Sequence, residues 1–460
     1  MVFLLPSAWC LTTKVMRIAI TTLGCKINQY DSAVIQSRLE KKHSFVGFDE
    51  VAECYVINTC TVTDRADWEA RQLVRRAKRR NPSAKVLVTG CYAQVNSPEV
   101  AEVPGVDFVV GLNRLDDLLR FVESVPTGAP QIAVSDVKRE RGVPVLGTSA
   151  LPGHTRAFLK IQEGCNYSCT YCIIPTARGL SRSVTPSEVM EQVRRLAGAG
   201  YKEIVLTGIH LGGYGQDLNP KIDLTALVER IADSGLISRL RLSSLDPREV
   251  PDRLLDLIAA AKTICPHLHI CAQAGDSEIL KQMRRNYDTA YYRDLLARVR
   301  TRLPEAALGS DIIVGFPGES DAQFENSLEY FNSLPLTYFH VFPYSSRRGT
   351  AAVSLANHVA GPVKKARAQR MRALSARKKS EFCSSFLGRR VSVLVEEKVD
   401  GASGFRRGFS RNYLPVILPA VADSPNREVD VELNGWREGW LTGVISRRDA
   451  ELPALAAFSQ

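Results

Sequence analysis

Cys165-Asn-Tyr-Ser-Cys169-Thr-Tyr-Cys172 places three thiols within eight residues. Three thiolates so spaced can wrap one face of a cubic iron–sulfur cluster, holding three irons and leaving the fourth open to a substrate or cofactor. Structural zinc is the competing chemistry, and it needs four protein ligands. No further Cys or His lies within ten residues on either side, and His154, eleven before Cys165, is the nearest. A second set is spread wider: Cys25, Cys60 and Cys91, spaced by 35 and 31 residues, each follow a β-rich apolar run (MRIAITTLGC, ECYVINTC, AKVLVTGC). Any one of them alone reads as an ordinary buried cysteine. At matched ends of parallel strands, the three converge on one sheet edge, beside Gly24, Thr59 and Gly90, and form a second cluster site with one open iron.

The elements that must position these thiols follow from the alternation of strand-like and helix-like runs. Residues 16–125 read as a parallel α/β sheet domain, and 126–153, rich in Pro, Gly and mixed charge, as a linker. From 154 to 386 six strand candidates (RAFLKIQ, KEIVLTG, RLRLSSL, HLHICAQ, SDIIVGF, YFHVFPY) alternate with helical patterns. This is the order of a partial (β/α)6 barrel, whose active groups sit at the C-terminal strand ends. Thr185-Pro186-Ser187-Glu188 opens its first helix with a capping box. Residues 387–450 read as short strands and turns, a small β-barrel. The fold class is therefore α/β with an added C-terminal β-barrel.

Composition sets the bounds. The 460 residues allow two to four domains, and 45% hydrophobic with 24% charged residues is a globular mix. Eleven cysteines without an export signal argue for metal or redox chemistry over a disulfide framework. No apolar run reaches the roughly 18–20 residues that cross a bilayer, and MVFLLPSAWCLTTKV lacks the basic start of a signal peptide. A soluble cytoplasmic protein, with no membrane partner, is expected, and residues 1–15 read as an extension or as an early start ahead of Met16. A net charge of +11 permits a nucleic-acid partner without requiring one.

The Cys-x3-Cys-x2-Cys spacing resembles that of radical S-adenosylmethionine (SAM) enzymes. A cluster that cleaves SAM to a radical, together with a second that carries sulfur, reads as insertion of sulfur into a C–H bond. The chain further resembles the radical SAM methylthiotransferases over nearly its whole length, in TLGCKINQYDS, VINTCTVTDRAD, VLVTGCYAQ, FLKIQEGCNYSCTYCIIPTARGLSRS, EIVLTGIHLGGYG, SDIIVGFPGES and FPYSSRRGT. Around the first cysteines it is most similar to the tRNA branch acting on N6-threonylcarbamoyladenosine. The resemblance implies two 4Fe-4S clusters and SAM as cofactors, with Cys165, Cys169 and Cys172 as ligands of the radical cluster. Cys25, Cys60 and Cys91 then ligate the auxiliary one. It implies 2-methylthio-N6-threonylcarbamoyladenosine at position 37, in the tRNA anticodon loop, as product. An electron donor such as flavodoxin or ferredoxin is implied as a partner. The alternatives are isopentenyladenosine-37 of tRNA or a ribosomal protein as target, and, in another class, a non-catalytic Fe–S RNA-binding protein.

Strand-end positions give the candidate SAM contacts: Tyr171 for the adenine, Thr207 and Gly208 for the methionine end, Ser243 and Ser244 for the ribose, and Gln273. For each, a purely structural role is the alternative. The fourth strand departs from the family's Pro-Leu-Gln-Ser-Gly-Ser pattern, with Cys271, Ala272 and Ala274 in HICAQAGDS; Cys271 is read as mid-strand core. Cys10, Cys54, Cys265 and Cys383 have no partner pattern. Two basic runs, 71–85 and 364–380, are candidate phosphate-binding faces, against the alternative of solvated helix faces. The β-barrel resembles the RNA-binding TRAM module. Its 388–460 segment holds 10 Lys+Arg and 10 Asp+Glu, so any grip on RNA must come from a local face. Arg406, Arg407, Arg411 and Tyr413 are the candidates, with Phe405 and Phe409 interleaved.

Overall fold

The computed structural model describes residues 15–143, 153–401, 403–418 and 425–446. These form two compact units, one from residues up to Thr61 with Arg65–Ser135, the other from Val62–Asp64 with Asp136 onward. Residues 1–14, with Cys10, and 144–152 of the expected linker lie outside the described residues.

The first unit is a six-stranded sheet in the order Ser44–Val46, Arg17–Thr22, Cys54–Thr59, Lys85–Gly90, Phe108–Val110, Gln131–Ala133. Every pairing is parallel. Successive side chains of a strand point to opposite faces, so each central strand feeds two cores. Tyr55, Ile57, Val86 and Val88 pack on Ala70, Val74 and Ala77 of the helix Asp64–Arg80. Val56, Leu87 and Phe108 meet Ile35, Leu39, Leu118 and Phe121 on the other side. The strands before the three cysteines are the expected ones. Gln131–Ala133, within the stretch read as a linker, instead closes the sheet edge by pairing with Phe108–Val110. Three residues give too short a run to reveal a period of two in the sequence.

In the second unit the six expected strands are Arg156–Glu163, Glu203–Gly208, Arg239–Leu242, His267–Ile270, Ala307–Val314 and Tyr338–Pro343. The third breaks at Ser243 and resumes as Ser244–Leu245, so pairing passes from one four-stranded sheet to the next. The free edge of the first strand is covered by antiparallel Arg182–Ser183. The Thr185 capping box is present ahead of Pro186–Gly198. The last five strands close a barrel in the order Arg390–Val399, Arg406–Ser410, Pro415–Leu418, Trp440–Ile445, Glu428–Arg437. Among the described residues no helix is long and apolar enough to cross a membrane.

The small barrel is held against the N-terminal ends of the second and third strands by a buried ionic knot. The Glu203 carboxylate accepts from Arg239 Nε at 2.6 Å and Arg241 Nε at 2.7 Å, and all three side chains are essentially inaccessible. The two guanidinium groups donate onward to the carbonyls of Phe409, Ser410 and Arg411. Burial alone would raise the Glu203 pKa, but Arg241 and Arg239 outweigh it and hold it at about 2. The N-terminal end of such a barrel carries stability, leaving the other end for chemistry.

Candidate functional site

In the first unit, strands Arg17–Thr22, Cys54–Thr59 and Lys85–Gly90 lie side by side with Thr22 opposite Asn58 and Thr59 opposite Gly90. That register delivers Cys25, Cys60 and Cys91 to the same edge. Asn28, in the first turn of the helix Lys26–Leu39, sits among them. Its Oδ1 is 3.8 Å from Cys25 Sγ and 4.0 Å from Cys91 Sγ. Its Nδ2 donates to the carbonyls of Leu23, at 2.8 Å, and Thr59, at 3.0 Å. A Cβ on Gly24 would stand 3.1 Å from Cys60 Sγ, which places the Cys60 thiol against the residue before Cys25. Gly90 has φ +96 and ψ −166, a conformation open essentially to glycine alone, and its α-carbon faces the Thr59 carbonyl where a Cβ would stand 2.3 Å away. Cys25 is exposed, while Cys60 and Cys91 are buried.

In the second unit, Cys165, Cys169 and Cys172 line a cavity of about 190 Å³ together with Tyr171, Ser244 and Gln273. The loop carrying them turns at Gly164, φ +71, whose missing side chain lets Leu180 O approach. Glu163, just before the turn, is pinned between Lys160 Nζ and Arg178 Nη1, each at 2.8 Å. Burial works to raise the Glu163 pKa, and the Arg178 and Lys160 cations override it and hold the carboxyl well below its usual range. Gln273 adopts φ +65 and bridges to Ile312 across the strand ends. Thr207, Gly208 and Ser243 do not line this cavity: Thr207 Oγ1 is buried without a hydrogen-bond partner, Gly208 packs on Gln162, and Ser243 N bonds Leu206 O. Tyr171 combines both of its readings, forming cavity wall and packing against the Met283 and Phe316 cluster.

Cys271 follows the strand His267–Ile270 at its C-terminal end instead of lying mid-strand, and it is both a buried core side chain and part of the cavity wall. Arg285 is a second residue that motif reading missed. Its Nη1 donates to Cys169 Sγ at 3.1 Å, its Nε bonds Tyr287 Oη at 3.1 Å, and it pairs with Asp246. No local signal announces it, because 116 residues separate Arg285 from Cys169.

The donor sets fit iron–sulfur clusters. Burial pushes the Cys165 thiol up to about 11 and Cys172 to about 12, so both stay protonated near neutrality unless a cation stabilises the thiolate. Among the described residues neither triad draws its three sulfurs within 4.8 Å of one another, as a single tetrahedral zinc with bonds of about 2.3 Å requires. A cube of irons takes thiolates set wider apart.

The proposed nucleic-acid face contracts. Arg411 donates to Ser238 O and Lys262 O and pairs with Glu428, and Tyr413 stacks between Phe409 and His267. Both are half-buried and help to hold the small barrel in place. Arg406 donates to Glu397 O and Arg407 pairs with Asp400, both half-buried, while Phe405 is exposed. In the run 364–380, Arg367, Arg370, Arg372, Arg377 and Lys378 bond within the chain. In 71–85, Arg71, Arg76, Lys78, Arg80 and Lys85 do the same.

Residues 17–111 match the uncharacterized protein family UPF0004, and residues 159–331 the radical SAM superfamily. The threonylcarbamoyladenosine tRNA methylthiotransferase MtaB of Bacillus subtilis is 39% identical over 90% of this chain and 93% of the relative. This chain belongs to the radical SAM tRNA methylthiotransferase family. MtaB of Aquifex aeolicus is 38% identical over 87% of this chain and 96% of its own length. The tRNA-2-methylthio-N(6)-dimethylallyladenosine synthase of Pelotomaculum thermopropionicum, a methylthiotransferase of another branch, is 34% identical over 93% of this chain and 97% of its own. Among solved structures, the radical SAM methyltransferase TsrM from Kitasatospora setae aligns with a TM-score of 0.51 at 16% identity, covering 72% of this chain and 75% of that one. That similarity is one of fold.

Proposed function

We propose that this chain adds a methylthio group to C2 of N6-threonylcarbamoyladenosine-37 in the anticodon loop of tRNA, giving 2-methylthio-N6-threonylcarbamoyladenosine. The substrate reading is supported by the relatives named for that reaction, at 38–39% identity over 87–90% of the chain. The observation that carries the chemistry is the gathering of Cys25, Cys60 and Cys91 around Asn28 and Gly24, in a unit separate from the Cys165 cavity. One thiol set serves radical formation alone; sulfur insertion calls for two.

In this reading Cys165, Cys169 and Cys172 hold one 4Fe-4S cluster and Cys25, Cys60 and Cys91 the other. When bound, the first supplies an electron to SAM and the second a coordination position for sulfur. The protein's own groups do the holding and shielding. Tyr171, Ser244 and Gln273 bound the space for SAM, while Thr207, Gly208 and Ser243 support the strand ends behind it. Arg285 donates a hydrogen bond to Cys169 Sγ and orients that side chain toward the cavity. Ile174 and Leu211 in the cavity wall limit water. The C-terminal barrel acts as a TRAM-like RNA-binding module through Arg406, Arg407 and Phe405. A flavodoxin or ferredoxin supplies electrons in the cytoplasm.

Mass spectrometry of nucleosides from a strain deleted for this chain tests the substrate. The methylthio form of threonylcarbamoyladenosine is expected to vanish, to return with the wild-type chain and to stay absent with Cys169→Ala. Loss of a methylthio-isopentenyladenosine instead would move the enzyme to the other tRNA branch, for which the dimethylallyladenosine synthase relative is the supporting observation.

A further inference from the structure

At the C-terminal end of the fourth barrel strand three side chains outside both cysteine triads face one another. His269 Nε2 lies 3.1 Å from Asp311 Oδ1, and Cys271 Sγ lies 3.5 Å from Asp311 Oδ2. The potential donor atoms of His269, Cys271 and Asp311 all fall within 4.8 Å of one another, the sole such trio among the described residues. His269 is 7% exposed, so the ring is held at this contact away from solvent. The Tyr338 hydroxyl lies 3.5 Å from His269 Nδ1 and 2.8 Å from His267 Nε2, on the side of the ring away from Asp311. An outer partner of this kind is what orients a metal-bound imidazole.

We propose that His269, Cys271 and Asp311 form a binding site for a single borderline-soft divalent cation of the Zn²⁺ class. One nitrogen, one sulfur and one carboxylate oxygen are the donor types that such an ion takes, and three protein donors leave one position open. Cys271 lines the 190 Å³ cavity, Asp311 lines an adjoining one of about 210 Å³, and Gln273 borders both. The open position therefore faces space where a water or an anionic group of a cavity occupant can bind. The sulfur donor comes from Cys271, where the fourth strand departs from the pattern of the family it resembles. The site uses none of the six cysteines assigned to clusters and stands or falls separately from the proposed reaction.

The test takes the full-length chain with its iron–sulfur content reconstituted anaerobically, equilibrates it with Zn²⁺ and desalts it before metal analysis. About one zinc per chain is expected to remain, and Cys271→Ala and His269→Gln are expected to reduce that retention at least tenfold while iron content holds. X-ray absorption at the zinc edge of the wild-type chain decides independently of how the variants fold. One sulfur at about 2.3 Å with nitrogen and oxygen neighbours supports the site. No retained zinc, a shell of three or four sulfurs, or equal retention in wild type and Cys271→Ala overturns it.

Discussion

Cys169 and Cys60 belong to different thiol sets, so their removal separates the two halves of the proposed chemistry. Cys169→Ala is expected to abolish SAM cleavage altogether. Cys60→Ala is expected to keep SAM cleavage, read as 5′-deoxyadenosine by chromatography, while methylthiolated nucleoside disappears. Thiolation by Cys60→Ala would contradict the division. Asn28 makes a third residue-scale case. Its amide meets two carbonyls, those of Leu23 and Thr59, and a buried polar group left unpaired costs about 1–3 kcal/mol. Asn28→Ala is therefore expected to lower the stability of the first unit by about that amount in denaturant titration, and to weaken iron retention. The cysteines were legible in the sequence because their residue type and spacing carry the chemistry. Asn28 and Arg285 were not, since their roles arise only when a helix start meets strand ends, or when residues 116 apart come together.

The strand is the element that converts cysteine spacing into a site. Parallel strands with right-handed crossovers bring successive C-terminal ends to one edge, and the register Thr59 opposite Gly90 sets Cys60 and Cys91 level. Gly90→Ala is expected to break that arrangement. The conformation at Gly90 alone costs a side-chain-bearing residue about 1–3 kcal/mol, and the new Cβ would push on the Thr59 carbonyl directly before Cys60. Iron loss from the first unit, with the Cys165 site still loaded, is the expected result in metal analysis. Long apolar runs ending at cysteines showed these strands in advance, whereas the three-residue strands Ser44–Val46 and Gln131–Ala133 carry too little pattern to show. Cys271 was misread for a related reason. The strand stops at Ile270, three residues short of the end of the run HLHICAQ, and that places buried Cys271 past the strand, where it also forms cavity wall.

At the scale of the whole molecule, the Glu203 knot makes the C-terminal barrel part of the second unit. Arg411 and Tyr413 looked like an RNA-binding face because a basic and aromatic cluster has the same composition whether it meets phosphate or a neighbouring domain. Removing the Glu203 charge leaves buried Arg241 without its anion and Arg239 with Glu428 alone, and breaking a buried pair this way costs about 3–5 kcal/mol. Glu203→Gln is expected to lower thermal stability accordingly and to expose the barrel to limited proteolysis. The sign in acid follows from the depressed pKa: the stabilisation is complete above about 4.5 and fades as pH falls towards about 2. Urea titrations at stepped acid pH should show a smaller loss in the Gln variant than in the wild-type chain, the part that remains coming from other depressed carboxylates such as Glu163. The central claim, that two thiol triads each hold a cluster, is tested most directly by counting iron and acid-labile sulfide per chain after anaerobic reconstitution. About eight of each are expected in the wild-type chain, and about four when Cys25, Cys60 and Cys91 are all replaced by alanine. Four or fewer in the wild-type chain, or an unchanged count in the variant, would contradict it.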